Sequence, residues 1–160
     1  MNIFHLHEEP KICAEYHCDK HVVKMILETA QMLSTAYRKN CGDDDRLYKT
    51  AYPKHPMTIW VGESVENFEY ALQLGKELCK QYTKRYNKIH KSSYVINSFN
   101  NGLLQNVEDR FPCHYFKPPP QCMPDKYKDR NYIKAYRQYY IGEKKRFAVY
   151  TGVDIPDFLC

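Results

Sequence analysis

The stretch Asp19-Lys20-His21-Val22-Val23-Lys24-Met25-Ile26-Leu27-Glu28-Thr29-Ala30-Gln31-Met32-Leu33 decides the fold. At about 100° per residue, its polar side chains fall within about an 80° sector of a helical wheel. These side chains are His21, Lys24, Glu28, Gln31 and Thr35. Nearly all other positions are apolar, and a helix that is apolar around most of its circumference is largely buried. The stretch therefore predicts a buried helix whose polar stripe faces a cavity or a narrow strip of solvent.

Further helices are expected on either side of this pattern. Asp19 is a candidate N-cap, and Asn40-Cys41-Gly42 stops the first helix. Pro56 suits the first turn of a second helix, Ser64-Val65-Glu66-Asn67 looks like a restart within it, and Asn101-Gly102 ends a third. The helices are predicted over approximately 19–39, 56–86, 91–104 and 131–147.

The segments between these helices are irregular. Residues 2–6 alternate weakly and suit a short strand or an extended arm. Residues 111–128 are rich in proline, which removes backbone donors and breaks helices. The prediction is an all-α, compact, single-domain helical bundle over residues 1–160, with a short N-terminal arm and a Pro-rich irregular segment.

Composition excludes several classes of protein. The chain has 160 residues, 43% of them hydrophobic and 27% charged, which excludes general disorder. No apolar run approaches the roughly 20 residues that span a bilayer. The first ten residues are too polar for a signal peptide, so we expect a cytoplasmic protein inside a host cell, not a secreted one. The net charge of +5 is a weak indication of nucleic-acid binding.

The seven cysteines favour reduced thiols, since their spacing is irregular and no CxxC pair occurs. Cys13, His17, Cys18 and His21 form a cluster of residue types that zinc accepts. The usual order of a Cys/His zinc motif is missing, however, and no metal or cofactor is expected.

The polar stripe is the first candidate site. In one interpretation, Glu28 acts as an acid, a base or an electrostatic stabiliser, His21 donates hydrogen bonds, and Lys24 contacts an anion beside Gln31. In the other, Lys24 and Glu28 form an ordinary i, i+4 surface pair beside a structural histidine.

Basic and aromatic residues elsewhere are candidates for substrate or phosphate binding. Aromatic rings stack on bases while cations meet phosphates, although the same residues suit core packing and favourable charge at helix ends. The candidates are His55, Trp60, Arg85, Tyr136, Arg137, Tyr140 and Lys144.

Two parts of the sequence carry a family resemblance. Met1-Asn2-Ile3 is followed by Asp19-Lys20-His21, and Glu28 comes seven residues after the histidine. This pattern resembles the phage pyrimidine-dimer DNA glycosylase family, also called endonuclease V, as do His55-Pro56 and the helix ending near Arg85. The chain is also similar to uncharacterised phage and large-virus proteins that share Pro-Gln-Cys-Met-Pro-Asp and Ala-Tyr-Arg-x-Tyr-Tyr.

The resemblance implies a helical DNA repair enzyme. It implies that Glu28 is the catalytic carboxylate, that His21 belongs to the site of a flipped-out damaged base, and that the α-amine of Met1 attacks the sugar to form an imine. The arginines flanking the family's glutamate are replaced here by Leu27 and Gln31. Asn2 is larger than the residue that the family exposes by removing Met1, which favours retention of Met1.

Three functions follow as hypotheses. The leading one is a DNA glycosylase/lyase-like enzyme acting on the N-glycosidic bond or sugar of a damaged or modified nucleotide. The second is an enzyme, such as a hydrolase or base-modification enzyme, that acts on a free nucleotide or nucleotide signal. The third is a non-catalytic nucleic-acid-binding module. The expected partner is DNA or a nucleotide, with no membrane, and the oligomeric state is left open.

Overall fold

The computed structural model describes residues 1–160, and it contains helices and irregular segments but no strand. The all-α prediction is therefore confirmed. The helices are α1 (Pro10–Tyr16), α2 (Asp19–Cys41), α3 (Pro56–Val61), α4 (Val65–Tyr86), α5 (Ser93–Ser98), α6 (Leu104–Arg110) and α7 (Tyr132–Tyr139). Helix α1 was not predicted by sequence patterning. No helix has both the length and the apolar character needed to cross a membrane.

Helix α2 lies at the centre of the packing. It contacts α4 along its length, while α3, α5 and α6 also pack against it. Gly75 of α4 permits this approach, because a Cβ there would lie 3.3 Å from Thr29 Cγ2 of α2 and 3.1 Å from Ile96 Cδ1 of α5. The buried apolar face of α2 is continuous with one core of 33 residues that reaches from the N-terminal arm to Leu159.

The start of α2 differs from the prediction. Cys18 is the N-cap and Asp19 is the first helical residue. The Asp19 carboxylate does not cap the helix, because it accepts hydrogen bonds from Arg85 and Thr151 instead. These partners tie the beginning of α2 to the end of α4 and to the C-terminal tail.

The helix predicted over 56–86 is divided into α3 and α4 by a break, which falls where the sequence indicates a restart at Ser64. Ser64 caps α4, its hydroxyl accepting the N–H of Asn67 at 3.0 Å. The Asn67 side chain in turn donates to the carbonyl of Trp60 at 2.8 Å. The break lets α3 turn toward α2.

The helix predicted over 91–104 also ends elsewhere. After α5 the chain passes through a π-type turn, Phe99–Leu103, and continues as α6. Asn101-Gly102 has non-helical dihedral angles, with a φ of 89° at Gly102, so it kinks the chain rather than ending the helix.

The last predicted helix, 131–147, is regular only as α7. Asn131 caps it by accepting the N–H groups of Ile133 and Lys134. The chain then tightens into a π-type turn, Tyr140–Lys144, and a short 3₁₀ turn, Lys145–Phe147. The Pro-rich segment before α7 is irregular, as expected, apart from one 3₁₀ turn over Asp125–Tyr127.

The N-terminal arm is extended and makes no strand pairing. Its side chains Ile3, Phe4 and Leu6 are buried in the core. This burial fixes the path of the arm across the beginning of α2 and brings the N-terminus to the polar stripe.

Candidate active site

A cavity of about 410 Å³ opens where the arm, α2, the segment preceding α3 and the chain around α7 meet. Its lining combines the polar stripe of α2 with residues that are distant in sequence. The lining residues are Met1, Asn2, Phe4, His21, Lys24, Met25, Glu28, His55, Cys122, Tyr139 and Lys144.

Glu28 is the only acidic residue in this lining, and it is only 8% exposed. Its Oε2 accepts the backbone N–H of Asn2 at 2.9 Å and lies 3.6 Å from the α-amine of Met1. Its Oε1 lies 3.5 Å from Lys24 Nζ. A buried carboxylate needs compensating donors, and here the N-terminus of the chain supplies two of them.

Asn2 fixes the position of the N-terminus. Its side-chain nitrogen donates to the carbonyl of Cys122 at 3.1 Å, and its side-chain oxygen accepts the N–H of Ile3 at 2.9 Å. The hydroxyl of Tyr136 lies 3.3 Å from the same oxygen and donates to the carbonyl of Pro120 at 2.7 Å. The Pro-rich segment and α7 therefore hold the arm against Glu28.

His21 is packed as a neutral ring. It stacks on Phe4 with 4.5 Å between ring centres, and its Nδ1 lies 2.8 Å from the hydroxyl of Tyr140. Burial lowers the pKa of His21 to about 3, with further contributions from His17 and nearby lysines, Lys144 foremost among them. The Tyr140 hydroxyl also accepts the N–H of Cys18, so one hydroxyl holds both the start of α2 and the ring of His21.

His55 has a second role as the cap of α3. Its Nδ1 accepts the N–H of Met57 at 3.1 Å, which leaves Nε2 to carry the proton of the neutral ring. Burial and the nearby α-amine lower the pKa of His55, while Glu28 acts in the opposite direction. The cavity thus has two neutral imidazoles, and that of His55 can donate a hydrogen bond to a substrate oxygen or nitrogen.

Positive charge lines the mouth of the cavity. Lys24 is 63% exposed at its side chain even though it reaches Glu28. The ammonium of Lys144 lies 4.8 Å from the ring centre of Tyr139 and 5.9 Å from that of Phe4. With the α-amine, these groups give three cations against one carboxylate, an arrangement that attracts phosphate.

The other predicted site residues lie outside the cavity lining. Tyr136 and Tyr140 are fully buried and support the site from behind. Gln31 is half-buried on the same helix as Glu28 but lies outside the cavity lining. Trp60 was wrongly assigned to a binding surface: it is 2% exposed, donates to the carbonyl of Lys117 at 2.7 Å, and belongs to the core.

Arg85 and Arg137 both lie outside the cavity lining. Arg85 is buried, with its guanidinium bonded to Asp19, Gln81 and two backbone carbonyls, so it has no donor left for a nucleic-acid backbone. Arg137 is half-buried, donates to the carbonyl of Leu6 through Nε at 2.9 Å and lies against aromatic rings. A backbone contact by Arg137 stays a prediction.

Sequence reasoning missed several lining residues: Asn2, Phe4, Met25, Cys122 and Tyr139. Asn2 lies within the motif that carries the resemblance, and Tyr139 belongs to the tyrosine-rich last helix, so both had a local signal. Cys122 lies in the shared Pro-Gln-Cys-Met-Pro-Asp motif, but that motif does not indicate a place in the site, which depends on the path of the Pro-rich segment.

A comparison with protein families gives a match over the N-terminal part of the chain. A family model described as pyrimidine dimer DNA glycosylase matches residues 1–94, which is more than half of the chain. The matched range contains the arm, the polar stripe of α2 and His55, whereas Cys122, Tyr139 and Lys144 lie outside it. Neither the curated proteins nor the solved structures gave a match. The chain belongs to the pyrimidine dimer DNA glycosylase family.

Proposed function

We propose that this protein is a DNA glycosylase with lyase activity that acts on a damaged or modified nucleotide. One observation carries the proposal. The α-amine of Met1 and the carboxylate of Glu28 lie 3.6 Å apart in one cavity, among neutral imidazoles and phosphate-attracting lysines. A nucleophile beside a carboxylate is the pair of groups that displacement of a base from a sugar requires.

The α-amine is the proposed nucleophile. α-Amines as a class are less basic than lysine side chains, so a larger fraction is neutral and nucleophilic at neutral pH. The nitrogen lone pair forms a bond to C1′ of the deoxyribose, and the N-glycosidic bond breaks with its electrons on the departing base. The base takes up a proton from water.

Glu28 then serves the proton transfers. It accepts a proton from the attacking nitrogen and passes it to O4′ as the C1′–O4′ bond breaks, while the nitrogen lone pair forms a protonated imine between Met1 and C1′. Before that, its negative charge stabilises the positive charge that develops on the sugar as the base leaves. Glu28, again a carboxylate, then removes a C2′ proton, the C3′–O bond breaks with its electrons on the 3′ phosphate, and water hydrolyses the imine to release the enzyme.

The other lining residues bind rather than react. His21 and His55 are neutral, and His55 donates a hydrogen bond, which suits recognition of base or sugar atoms without electrostatic repulsion from the α-amine. Lys24 and Lys144 contact the phosphates on either side of the nucleotide. A base must leave the DNA stack to reach such a cavity, and a damaged base does so at lower cost than a paired one.

Glu28→Gln tests the proposal, because it keeps the hydrogen-bond acceptor and removes the charge. We expect base release from lesion-containing duplex DNA to fall by about 10²- to 10³-fold, the loss typical for removal of one electrostatic stabiliser. Glu77→Gln is the matched control, since Glu77 forms an exposed pair with Lys80. A Glu28→Gln protein that releases the base at the wild-type rate would refute the proposed chemistry.

A further inference from the structure

The loop between α2 and α3 carries an aromatic residue in an unfavourable backbone conformation. Tyr52 has a φ of 49°, and the only other non-glycine residue with positive φ is Asn87, which ends α4. Left-handed dihedral angles are costly for a bulky side chain, and the proline that follows restricts Tyr52 further. Such strain persists only where the surrounding structure enforces it.

Hydrogen bonds on both sides of Tyr52 enforce this conformation. The Thr35 hydroxyl accepts the N–H of Ala51 at 2.9 Å and lies 3.2 Å from the carbonyl of the same residue. The carbonyl of Tyr52 accepts the N–H of His55 at 3.0 Å. The loop is therefore held to α2 on one side and to the capping residue of α3 on the other.

The side chain of Tyr52 gains no packing in return for this strain. It is 65% exposed, although tyrosine rings that serve the core of this protein, such as Tyr136 and Tyr140, are fully buried. The exposed Lys49 and Lys54 flank it in sequence. An exposed ring between cations matches the chemistry of surfaces that stack on bases and meet phosphates.

The loop also lies between two concave surfaces. His55 lines the catalytic cavity, whereas Thr50 and Pro53 line a second concavity of about 260 Å³ against the end of α2. Tyr52 lies between Thr50 and His55 in sequence, and its carbonyl accepts the N–H of His55 at 3.0 Å, so its backbone joins a wall residue of the second concavity to one of the catalytic cavity.

We propose that Tyr52 is a stacking residue that enters the duplex beside the extruded nucleotide and holds the helix open. An aromatic wedge of this kind replaces part of the base stacking that is lost when a nucleotide leaves the duplex. The inference rests on the proposed function, because it requires a base to be taken out of DNA. It assigns Tyr52 a role in opening the duplex and none in the chemical step.

The test compares double-stranded and single-stranded substrates that carry the same lesion. Tyr52→Ala and Tyr52→Gly are expected to slow base release from duplex DNA by at least about fivefold, the lower end of what one base–aromatic stack contributes. Release from single-stranded DNA, which needs no opening, should stay within about twofold of wild type. Tyr52→Phe should behave like wild type on both substrates.

Two controls separate this role from a structural one. Tyr52→Gly relieves the positive φ, so its melting temperature should equal or exceed that of wild type while duplex activity falls. Tyr94→Ala removes a tyrosine that is 75% exposed on α5 and should leave both activities unchanged.

A wedge role also predicts a signal that does not depend on turnover. 2-Aminopurine placed next to the lesion should brighten when Glu28→Gln protein binds the duplex, and less when Tyr52→Ala is added to that variant. Equal loss on single-stranded and duplex DNA, or no loss on either, would overturn the assignment of Tyr52. Wild-type protein that releases no base from either substrate would instead refute the proposed function.

Discussion

Two carboxylates of helix α2, Asp19 and Glu28, each lie in a cluster of charges, and the two clusters are built differently. At Asp19, Arg85 donates at 3.0 Å and Thr151 donates from both its hydroxyl and its backbone. The side chain of Arg85 is fully buried, and all three of its guanidinium nitrogens are hydrogen-bonded. This cluster is closed and has no free donor for a ligand.

The cluster at Glu28 is open. Its two cations, the α-amine of Met1 and Lys24, lie 3.6 and 3.5 Å from the carboxylate, at the long end of ion-pair distances, and both line a cavity. Only the N–H of Asn2 makes a short bond to it, at 2.9 Å. The difference shows that burial and charge alone do not mark a site. A cluster whose hydrogen-bonding groups are all paired stabilises the fold. A cluster that keeps unpaired hydrogen-bonding groups beside a cavity can bind a substrate and react with it.

Removing Arg85 should give the largest effect on stability. Arg85→Met leaves the Asp19 carboxylate and two backbone carbonyls without their donor, and breaking a buried ion pair typically costs about 3–5 kcal/mol of unfolding free energy. Urea denaturation followed by circular dichroism measures this loss. Glu28→Gln in the same assay should change stability by less than about 1 kcal/mol, because it keeps its acceptor oxygen. A stable Arg85→Met protein would contradict the structural role of the Asp19 cluster.

Acid should weaken the fold through histidines that lie behind both clusters. Burial lowers the pKa of His5 to about 3, and neither of its ring nitrogens has a hydrogen-bond partner. As the pH falls through about 6.5, His5 therefore takes up a proton in the unfolded chain but not in the folded one. The stability that this group contributes is complete above pH 6.5 and is lost as the pH falls toward 3. At pH 5 the loss is about 2 kcal/mol from this group.

His17 and His21 add to the same trend, since burial lowers the pKa of His17 to about 4 and that of His21 to about 3. Thermal melts between pH 7.5 and 4.5 measure the combined slope. His5→Phe should make the melting temperature less dependent on pH, whereas a substitution of the exposed His114 should leave this dependence unchanged. A slope that is the same in wild type and His5→Phe would show that His5 is not held neutral.

The open cluster should be sensitive to salt. Each phosphate contact contributes about 0.9 to the slope of log K against log salt concentration for duplex DNA. Lys24→Ala and Lys144→Ala should each lower the slope by about that amount, and Lys11→Ala, an exposed lysine of α1, should not. Because the Lys24 side chain is 63% exposed, its loss should change folding stability by less than about 1 kcal/mol. Salt-insensitive binding together with tight binding of free nucleotides would favour the free-nucleotide hypothesis.

The sequence predicted the half of the site that lies on one helix. Periodicity grouped His21, Lys24 and Glu28 on a narrow stripe, and the structure places all three in the cavity lining. A helical wheel shows which face of the helix a residue lies on, but not how far along the helix the cavity extends. Gln31 was therefore included, although it lies outside the cavity lining. Residues brought in by the path of the chain, such as Cys122, have no periodic signal.

Arg85 shows why basic patches are hard to interpret. It lies among exposed lysines at the end of α4, yet it follows the buried Leu78 by seven residues and so lies on the same face of that helix. Helical position, rather than local charge density, separated the buried arginine from the solvated lysines. At the helix ends, a single residue determines where the chain leaves the helical path. Ser64 caps α4 after the break that follows α3, and Gly102 kinks the chain before α6.

The most direct test of the central claim is reductive trapping on DNA that contains an abasic site. Borohydride should convert the imine to a stable protein–DNA adduct, and mass spectrometry should find the attachment on the N-terminal peptide. Because Asn2 is a large second residue, we expect this peptide to begin with Met1. If Met1 is removed, the nitrogen of Asn2, already 2.9 Å from Glu28, takes its place. Attachment at a lysine such as Lys24, or no adduct from a protein that cleaves the site, would contradict the account.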